Sequence, residues 1–297
     1  MVALRSARAR LERRLAVYLF VAPAALVIFV FSFLAIGLSL YLSFHQWGLI
    51  SPTHPFVGLA NYREALFEDR VFWKAFRNTL TFVATFVPGT VVGALALAML
   101  GNRVRRGRTA FRVMYFVPSI TPLVVVSFIW IWIYSADGLL NVVLKALGLP
   151  TANWLLSEGT AMPAIVAMSI WTALGYYMVL FMAGLADIPS VFYDAAQVDG
   201  ANRLQSFWYV TLPLLRNTLI FVVVVLTIAA FQVFTQVYIM TRGGPANATE
   251  VMQALIYKQG FEFLRMGYAA SISWCLFVPI AVFTAIQMKV FRSQQVY

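Results

Sequence analysis

The sequence predicts an all-α membrane protein with six transmembrane helices. The chain of 297 residues is 62% apolar and has a mean hydropathy of +0.81, which is too apolar for a soluble domain with a polar surface. A helix needs about 20 apolar residues to cross a bilayer core about 30 Å thick. Six windows of sufficient length lack Asp, Glu, Lys, Arg and His: residues 17–43, 78–102, 113–136, 159–186, 217–241 and 266–288.

Each window is predicted to be a helix, because backbone polar groups in lipid must be paired within one segment or around a closed barrel. The windows lack the alternation of apolar and polar residues that barrel strands show. The first window is longer than the apolar core of a cleaved signal peptide, about 7–15 residues, and is interpreted as a retained signal anchor. In the second window Gly89 and Gly93 form a small-xxx-small pair, which predicts close approach of another helix.

Prolines inside the windows predict bent helices. Each proline removes a helical hydrogen-bond donor, and lipid tolerates this only where neighbouring groups compensate. Such prolines are Pro23, Pro88, Pro118, Pro122, Pro163 and Pro279.

The distribution of arginine predicts the orientation in the membrane, because cytoplasmic loops carry an excess of Lys and Arg. Both chain termini are therefore predicted to be cytoplasmic, and the net charge of +11 is interpreted as topology rather than as nucleic-acid binding. The predicted organisation is a basic N-terminus (1–16), a membrane domain (17–291) and a cytoplasmic tail (292–297). The basic clusters are Arg5, Arg8, Arg10, Arg13 and Arg14 before the first window, and Arg103, Arg105, Arg106, Arg108 and Arg112 after the second.

Several kinds of chemistry lack the residues they need. None of the four lysines follows a glycine, so no P-loop for ATP is present, and no metal-ligand spacing is found. A proton-coupled secondary transporter normally carries ionisable side chains inside its spans, and these windows have none; this class is kept as the alternative. A membrane-embedded enzyme is the second alternative, but His45 and His54 are isolated and the lone Cys275 is interpreted as a buried apolar residue.

The linker between the fourth and fifth windows (187–216) predicts two short helices joined at an elbow. Pro189 and Ser190 favour a helix start, and Gly200 favours a left-handed helix end. Asn202 is expected to cap a second helix that ends before Pro213. On the first helix Val191, Ala195 and Val198 share one apolar face, which is typical of a surface that docks into a partner.

This linker resembles the EAA loop of ABC importer permeases. The pattern is Glu-Ala-Ala, three residues, Gly, nine residues, then Ile-x-Leu-Pro; here Asp replaces Glu and Val replaces Ile, with the spacing kept. The resemblance implies a type I ABC importer permease fold, with a coupling helix that docks into an ATPase subunit. The matching residues are Asp194, Ala195, Ala196, Gly200, Val210, Leu212 and Pro213, and Asp199 lies beside them.

Further segments resemble the carbohydrate-uptake branch, which includes maltose and glycerol-3-phosphate permeases of the first-subunit type. The resemblance implies a bacterial inner-membrane protein that pairs with a second permease, two ATPase subunits using ATP and Mg²⁺, and an external solute-binding protein. This chain is expected to contact lipid and no nucleic acid, and to bind no cofactor itself. These segments are 58–62, 72–73, 78–79, 138–141, 154–155 and 241–245.

A solute path is expected in mid-membrane along the fourth and fifth windows, where aromatic faces suit sugar rings and amides or hydroxyls suit their OH groups. Gln232 and Gln236 are expected on one face, since they are one helical turn apart; contact between helices of different subunits is the alternative role. The candidate residues are Trp171, Thr172, Tyr176, Tyr177, Thr227, Phe231, Gln232, Thr235 and Gln236.

Overall fold

The computed structural model describes residues 18–48, 50, 52–104 and 106–292, and these residues are mostly helical. The predicted N-terminus (1–16) and nearly all of the tail (292–297) lie outside the described residues. The helices are α1 (Tyr18–Ser43), α2 (Ala60–Arg63), α3 (Arg70–Arg103), α4 (Arg108–Ile120), α5 (Leu123–Ile133), α6 (Leu139–Ala146), α7 (Glu158–Ala186), α8 (Ser190–Val198), α9 (Arg203–Ser206), α10 (Arg216–Phe231), α11 (Thr235–Met240), α12 (Met252–Tyr257) and α13 (Met266–Arg292).

Within the described residues, five segments are long and apolar enough to cross a membrane, and a bent pair of helices makes a sixth if it counts as one span. Three of the five, α1, α7 and α13, reproduce predicted windows closely. The second window is shorter than its helix, because α3 begins eight residues earlier, at Arg70, where the Asp69 carboxylate accepts hydrogen bonds from the backbone N–H groups of Val71 and Phe72. An apolar window marks only the part of a helix that lies in the hydrocarbon core of the bilayer, and the helix can extend beyond it.

The single helix expected over 113–136 is wrong. The chain forms α4 and α5 at an angle of 98° to each other, with a break at Thr121 and Pro122. Proline disfavours the helical conformation of the residue before it, and Thr121 is extended, with φ −74° and ψ 135°.

The fifth window contains a second break. Helix α10 ends at Phe231 and α11 begins at Thr235. Phe234 has a non-helical conformation, with φ −143° and ψ −64°. No proline marks this break, so it was not predicted.

Helix α7 lies at the centre of the bundle and contributes the largest share of the buried core. The helices beside α7 alternate in direction: α3 is parallel to α7, whereas α4 and α10 are antiparallel to it. Helix α13 packs against α10 and is antiparallel to it. The contacts Gly89–Ile170 and Gly93–Leu174 give the direction of α3, and Tyr115–Gly175 and Ser119–Thr172 give that of α4. The contacts Thr218–Gly184 and Gln236–Ser169 give the direction of α10 and α11, and Thr227–Gln287 and Phe231–Phe283 give that of α13.

Glycines permit the closest of these contacts. A β-carbon added at Gly89 would lie 2.6 Å from Cδ1 of Ile170, and one at Gly93 would lie 2.7 Å from Cδ2 of Leu174. The predicted close approach at these two glycines is confirmed. On α7 itself, a β-carbon at Gly175 would overlap the backbone carbonyl of Tyr115. Because a backbone cannot move aside as a flexible side chain does, Gly175 is the position on α7 where a larger residue is least tolerated.

We expect Gly175→Ala to lower the free energy of unfolding by about 1–3 kcal/mol, the usual cost of overpacking. The matched control is Gly159→Ala on the same helix, where nothing lies within 4 Å of the added carbon. That change should be neutral or stabilising, because alanine favours helix by about 0.5–1 kcal/mol over glycine. Thermal unfolding in detergent measures both, and equal effects would contradict the assigned contact.

Candidate functional site

The linker between α7 and α10 forms the predicted elbow. Helix α8 begins at Ser190 after Pro189 and ends at Val198, and Gly200 adopts a left-handed conformation with φ +77°. The N–H of Gly200 donates to the carbonyl of Gln197 (3.1 Å), and the N–H of Ala201 donates to that of Ala196 (2.9 Å). This pair of hydrogen bonds is the Schellman motif, and it confirms the predicted end of the first helix.

The second arm of the elbow begins at the predicted cap, Asn202. The Asn202 side chain accepts from the N–H groups of Leu204 and Gln205, and the Gln205 side chain accepts in return from the Asn202 N–H. Sequence reasoning missed Gln205, although a Gln three residues after an Asn is the signal of such a capping box.

The predicted end of the second helix before Pro213 is wrong. Helical backbone continues through a wide π turn at Phe207–Thr211 and the short segment Leu212–Leu214 into α10. In a regular helix the Pro213 ring would collide with the carbonyl four residues earlier. A π turn placed before the proline changes that spacing, so the arm stays helical.

The two arms are held to each other and to the membrane helices. The hydroxyls of Tyr193 and Thr211 lie 3.1 Å apart and share a hydrogen bond. At the end of α7, a β-carbon on Gly184 would overlap the Thr218 hydroxyl, so α7 and α10 are in direct contact where the elbow leaves them. Leu215, at the start of α10, is only 1% exposed. The elbow is therefore attached to the ends of α7 and α10 through direct contacts.

The predicted apolar face of α8 is open. Val191 is 62% exposed and Val198 is 88% exposed, and nothing in the described part of the chain covers them. Behind α8 lies a cleft of about 720 Å³ lined by Asp194, Gln197 and Arg203 among others. Of the predicted coupling residues, Asp194, Ala195, Asp199, Gly200 and Pro213 are exposed, and Ala196 and Leu212 are partly buried.

The comparisons with known proteins agree with this geometry. Residues 89–294 match the family described as binding-protein-dependent transport system inner membrane component. The chain belongs to this family. The permease is 36% identical over 288 residues to the probable ABC transporter permease protein YurN of Bacillus subtilis, covering 95% of this chain and 98% of YurN.

A second relative confirms the resemblance to carbohydrate-uptake permeases, and a solved structure shows the same fold. The permease is 33% identical over 276 residues to the trehalose/maltose transport system permease protein MalF of Thermococcus litoralis, covering 93% of each chain. Its fold matches a chain of a bacterial ABC transporter involved in the import of the acidic polysaccharide alginate, with a TM-score of 0.85 at 23% identity, covering 98% of this chain and all of the other. The alternative of an ion-coupled secondary transporter receives no support.

The structure divides the predicted path residues into two groups. Trp171, Tyr176 and Gln232 are exposed, and Thr172 and Thr235 are partly buried. The others face the interior: Tyr177, Thr227, Phe231 and Gln236 are each less than 10% exposed. Thr227 accepts a hydrogen bond from Gln287, and the rings of Phe231 and Phe283 are 5.5 Å apart, so these two side chains hold α10 against α13.

Gln232 and Gln236 do not share a face. The break after Phe231 separates them, so Gln232 points away from the protein while the Gln236 amide donates to the Ser169 hydroxyl at 3.2 Å. The prediction that the two glutamines share one face of a helix assumed an uninterrupted helix. Gln236 joins two helices of this chain, which is neither the predicted solute contact nor the alternative contact between subunits.

Both helix breaks lie beside the middle of α7. Just before the first break, the Ser119 hydroxyl donates to the carbonyl of Thr172 (2.6 Å) and accepts from the N–H of Tyr176 (3.1 Å). After the second break, Gln236 contacts Ser169, which lies one helical turn before Thr172 on α7. Irregular backbone at membrane depth occurs where protein buries it or where it lines a water-filled cavity. Ser119 was missed because no local pattern distinguishes it from other serines.

An ordered segment between α11 and α13 closes the end of the bundle opposite the elbow. Lys258 pairs with the buried carboxylate of Glu250 at 2.5 Å and donates to the carbonyl of Arg242. From α3, Lys74 donates to the carbonyl of Ala246, and Asn78 donates to the carbonyls of Asn247 and Glu250. Burial raises the pKa of the Glu250 carboxyl above its ordinary value, and the Lys258 ammonium opposes that rise.

We expect Lys258→Met to lower the free energy of unfolding by about 3–5 kcal/mol, because it leaves the buried Glu250 carboxylate without a partner. The double variant Glu250→Gln/Lys258→Met carries no buried charge and should recover most of the loss. The single variant should also regain stability as the pH falls, because the folded protein then binds a proton at Glu250 more tightly than the unfolded chain. Equal unfolding temperatures for the single and double variants in detergent at neutral pH would contradict this assignment.

Proposed function

We propose that this permease carries a saccharide or a sugar-like solute into the cytoplasm as the membrane subunit of an ATP-driven importer. The observation that carries the proposal is the EAA elbow, whose two arms are capped and whose apolar face, with Val191 and Val198, is open. The names of its relatives support a carbohydrate as the solute, and glycerol-3-phosphate remains within the proposed class.

The proposed topology has six crossings with both termini in the cytoplasm. The alternating helix directions support it if α4 and α5 together form the third crossing. The elbow then lies in the cytoplasm with the arginines after α3, in agreement with the excess of basic residues expected there. The segment held by Lys258 and Glu250 lies on the external side.

The proposed assembly contains this chain, a second permease, two ATPase subunits and an external solute-binding protein. The chain has no P-loop, so ATP and Mg²⁺ belong to the ATPase subunits and this chain holds no cofactor. Among the described residues, no group of three or more His, Cys, Asp and Glu side chains is placed to bind a metal. The remaining exposed apolar surface, such as that of α1, faces lipid.

The proposed mechanism transmits ATPase closure through the elbow to α7 and α10. Asp194 to Gly200 dock into the ATPase, and Leu212 and Pro213 keep the second arm helical as it enters α10. Turning a 1:99 equilibrium into 99:1 takes about 5.5 kcal/mol, so the elbow must not flex. The Tyr193–Thr211 hydrogen bond and the Gly184 contact support such rigidity.

The solute site in this proposal lies at the two helix breaks. Trp171 and Tyr176 offer open aromatic faces there, and Thr172 and Gln232 offer hydrogen-bonding groups. In this proposal, the buried side chains that hold these groups in place are Tyr177, Thr227, Phe231 and Gln236. Thr235 begins the helix after the second break.

We expect the complete complex in liposomes to hydrolyse ATP faster when its binding protein carries a saccharide. A suitable panel contains trehalose, maltose, lactose, an alginate oligosaccharide and sn-glycerol-3-phosphate. Radiolabelled uptake that requires both ATP and the binding protein would support the importer. Uptake driven by an ion gradient without ATP would contradict it.

We expect Gly200→Val to uncouple ATP hydrolysis from uptake. A valine in the left-handed conformation costs about 1–2 kcal/mol and should disorder the end of α8, although nothing lies within 4 Å of the added carbon. Gly148→Val is the matched control, since Gly148 has φ +69° and equal space at the opposite end of the protein. Uptake per ATP should fall for Gly200→Val only; equal uptake in the two variants would count against the docking role.

A further inference from the structure

Four aromatic rings form a continuous cluster beside the second helix break. Phe234 and Tyr238 lie one turn apart at α11, with ring centroids separated by 5.2 Å. Tyr257, at the end of α12, is 5.2 Å from Phe234 and 5.1 Å from Tyr238. Phe261 follows one turn later and is 5.3 Å from Tyr257. We name these four residues the aromatic track.

The aromatic track runs from the end of the protein opposite the elbow towards the break. Helix α12 begins at that end, where the N–H of Met252 donates to the Thr79 hydroxyl in the first part of α3. It ends with Tyr257 against Phe234, two residues after the exposed Gln232. Helical backbone continues from Tyr257 through a π turn at Lys258–Glu262. There Lys258 donates to the carbonyl of Arg242, beyond the end of α11 farthest from the break, and Glu262 accepts from Tyr238. Phe261 therefore lies at the outer end of the track, and it is 62% exposed.

The track is not part of the apolar core. The rings of Phe234, Tyr238 and Tyr257 are only partly buried, and Phe261 is exposed. A second row of aromatic rings, Trp130–Tyr134–Trp154, shows the contrast. There Tyr134 is 5% exposed and its hydroxyl donates to the carbonyl of Ala164.

Charged groups beside the track argue against a surface that faces lipid hydrocarbon. The Tyr238 hydroxyl donates to the Glu262 carboxylate at 3.2 Å, and the Arg242 guanidinium lies 6.0 Å from the centre of the Tyr238 ring. Both charged side chains are exposed. An ionised group inside the bilayer costs about 2.5–3.5 kcal/mol on insertion scales, so this face meets water or polar ligands.

Open aromatic faces with a carboxylate and a guanidinium at their edge suit one class of ligand. The apolar C–H faces of a pyranose ring pack on aromatic rings, while its hydroxyls can accept charge-assisted hydrogen bonds from the Arg242 guanidinium and donate them to the Glu262 carboxylate. We propose that the aromatic track is a saccharide-binding surface that leads the solute from the external mouth to the helix break at Gln232. This inference rests on the proposed function and adds a second, outer site to it.

The test is uptake by the complete complex in liposomes, with the panel sugar that the wild type transports. We expect Tyr257→Ala and Phe261→Ala to lower the initial uptake rate at subsaturating binding protein by about three- to tenfold each, the effect of losing one aromatic contact. ATP hydrolysis without binding protein should stay unchanged. Phe261→Leu keeps the apolar volume but loses the ring, so it should behave like Phe261→Ala. Phe277→Ala is the matched control, because Phe277 is a 55% exposed ring on α13 outside the track.

The outcomes separate the explanations. Normal uptake in Tyr257→Ala and Phe261→Ala, or full recovery in Phe261→Leu, would overturn the track and leave the importer intact. Loss of the second permease from purified alanine variants would identify the rings as a subunit contact and would also overturn it. If the wild-type complex takes up no saccharide of the panel, the proposed function fails, and this inference fails with it.

Discussion

Close packing around α7 is the constraint on which the rest of the protein depends. Helices in lipid lack a hydrophobic force that drives them together, so their association relies on van der Waals contact and on hydrogen bonds between them. Glycines at 89, 93, 175 and 184 bring three neighbours, α3, α4 and α10, into close contact with this one helix, and at Gly175 the contact is with the backbone of α4. Since α7 runs directly into the elbow, the best-packed helix in the bundle is also one to which the elbow is attached.

The same packing explains how two helix breaks persist at membrane depth. Each unpaired backbone group in hydrocarbon costs several kcal/mol, so a break requires polar partners. The Ser119 hydroxyl contacts the backbone of α7 beside one break, and the Gln236–Ser169 hydrogen bond holds the chain after the other. Both breaks therefore lie beside the middle of α7, where hydrogen bonds join α7 to the chain next to each break.

Several motifs that resembled the carbohydrate branch meet each other in space. Asn78 and Thr79 contact the segment that follows 241–245, and the Trp154 indole donates to the Asn141 side chain. Asn61 donates to the carbonyls of Ser43 and His45. These hydrogen bonds hold the loops at the end of the bundle opposite the elbow.

The sequence by itself determined the membrane class, the long spans, the helix start at Ser190, the left-handed Gly200 and the Asn202 cap. These features depend on composition or on hydrogen bonds between residues a few positions apart, which local patterns record. Only the tertiary structure decided the break after Phe231, the separation of Gln232 from Gln236, the bridging role of Ser119 and the assembly of the aromatic track. Those features depend on partners distant in the sequence. Polar groups that lack a hydrogen-bond partner within their own helix find one only on the helix that packs beside it, and local sequence patterns do not record which helix that is.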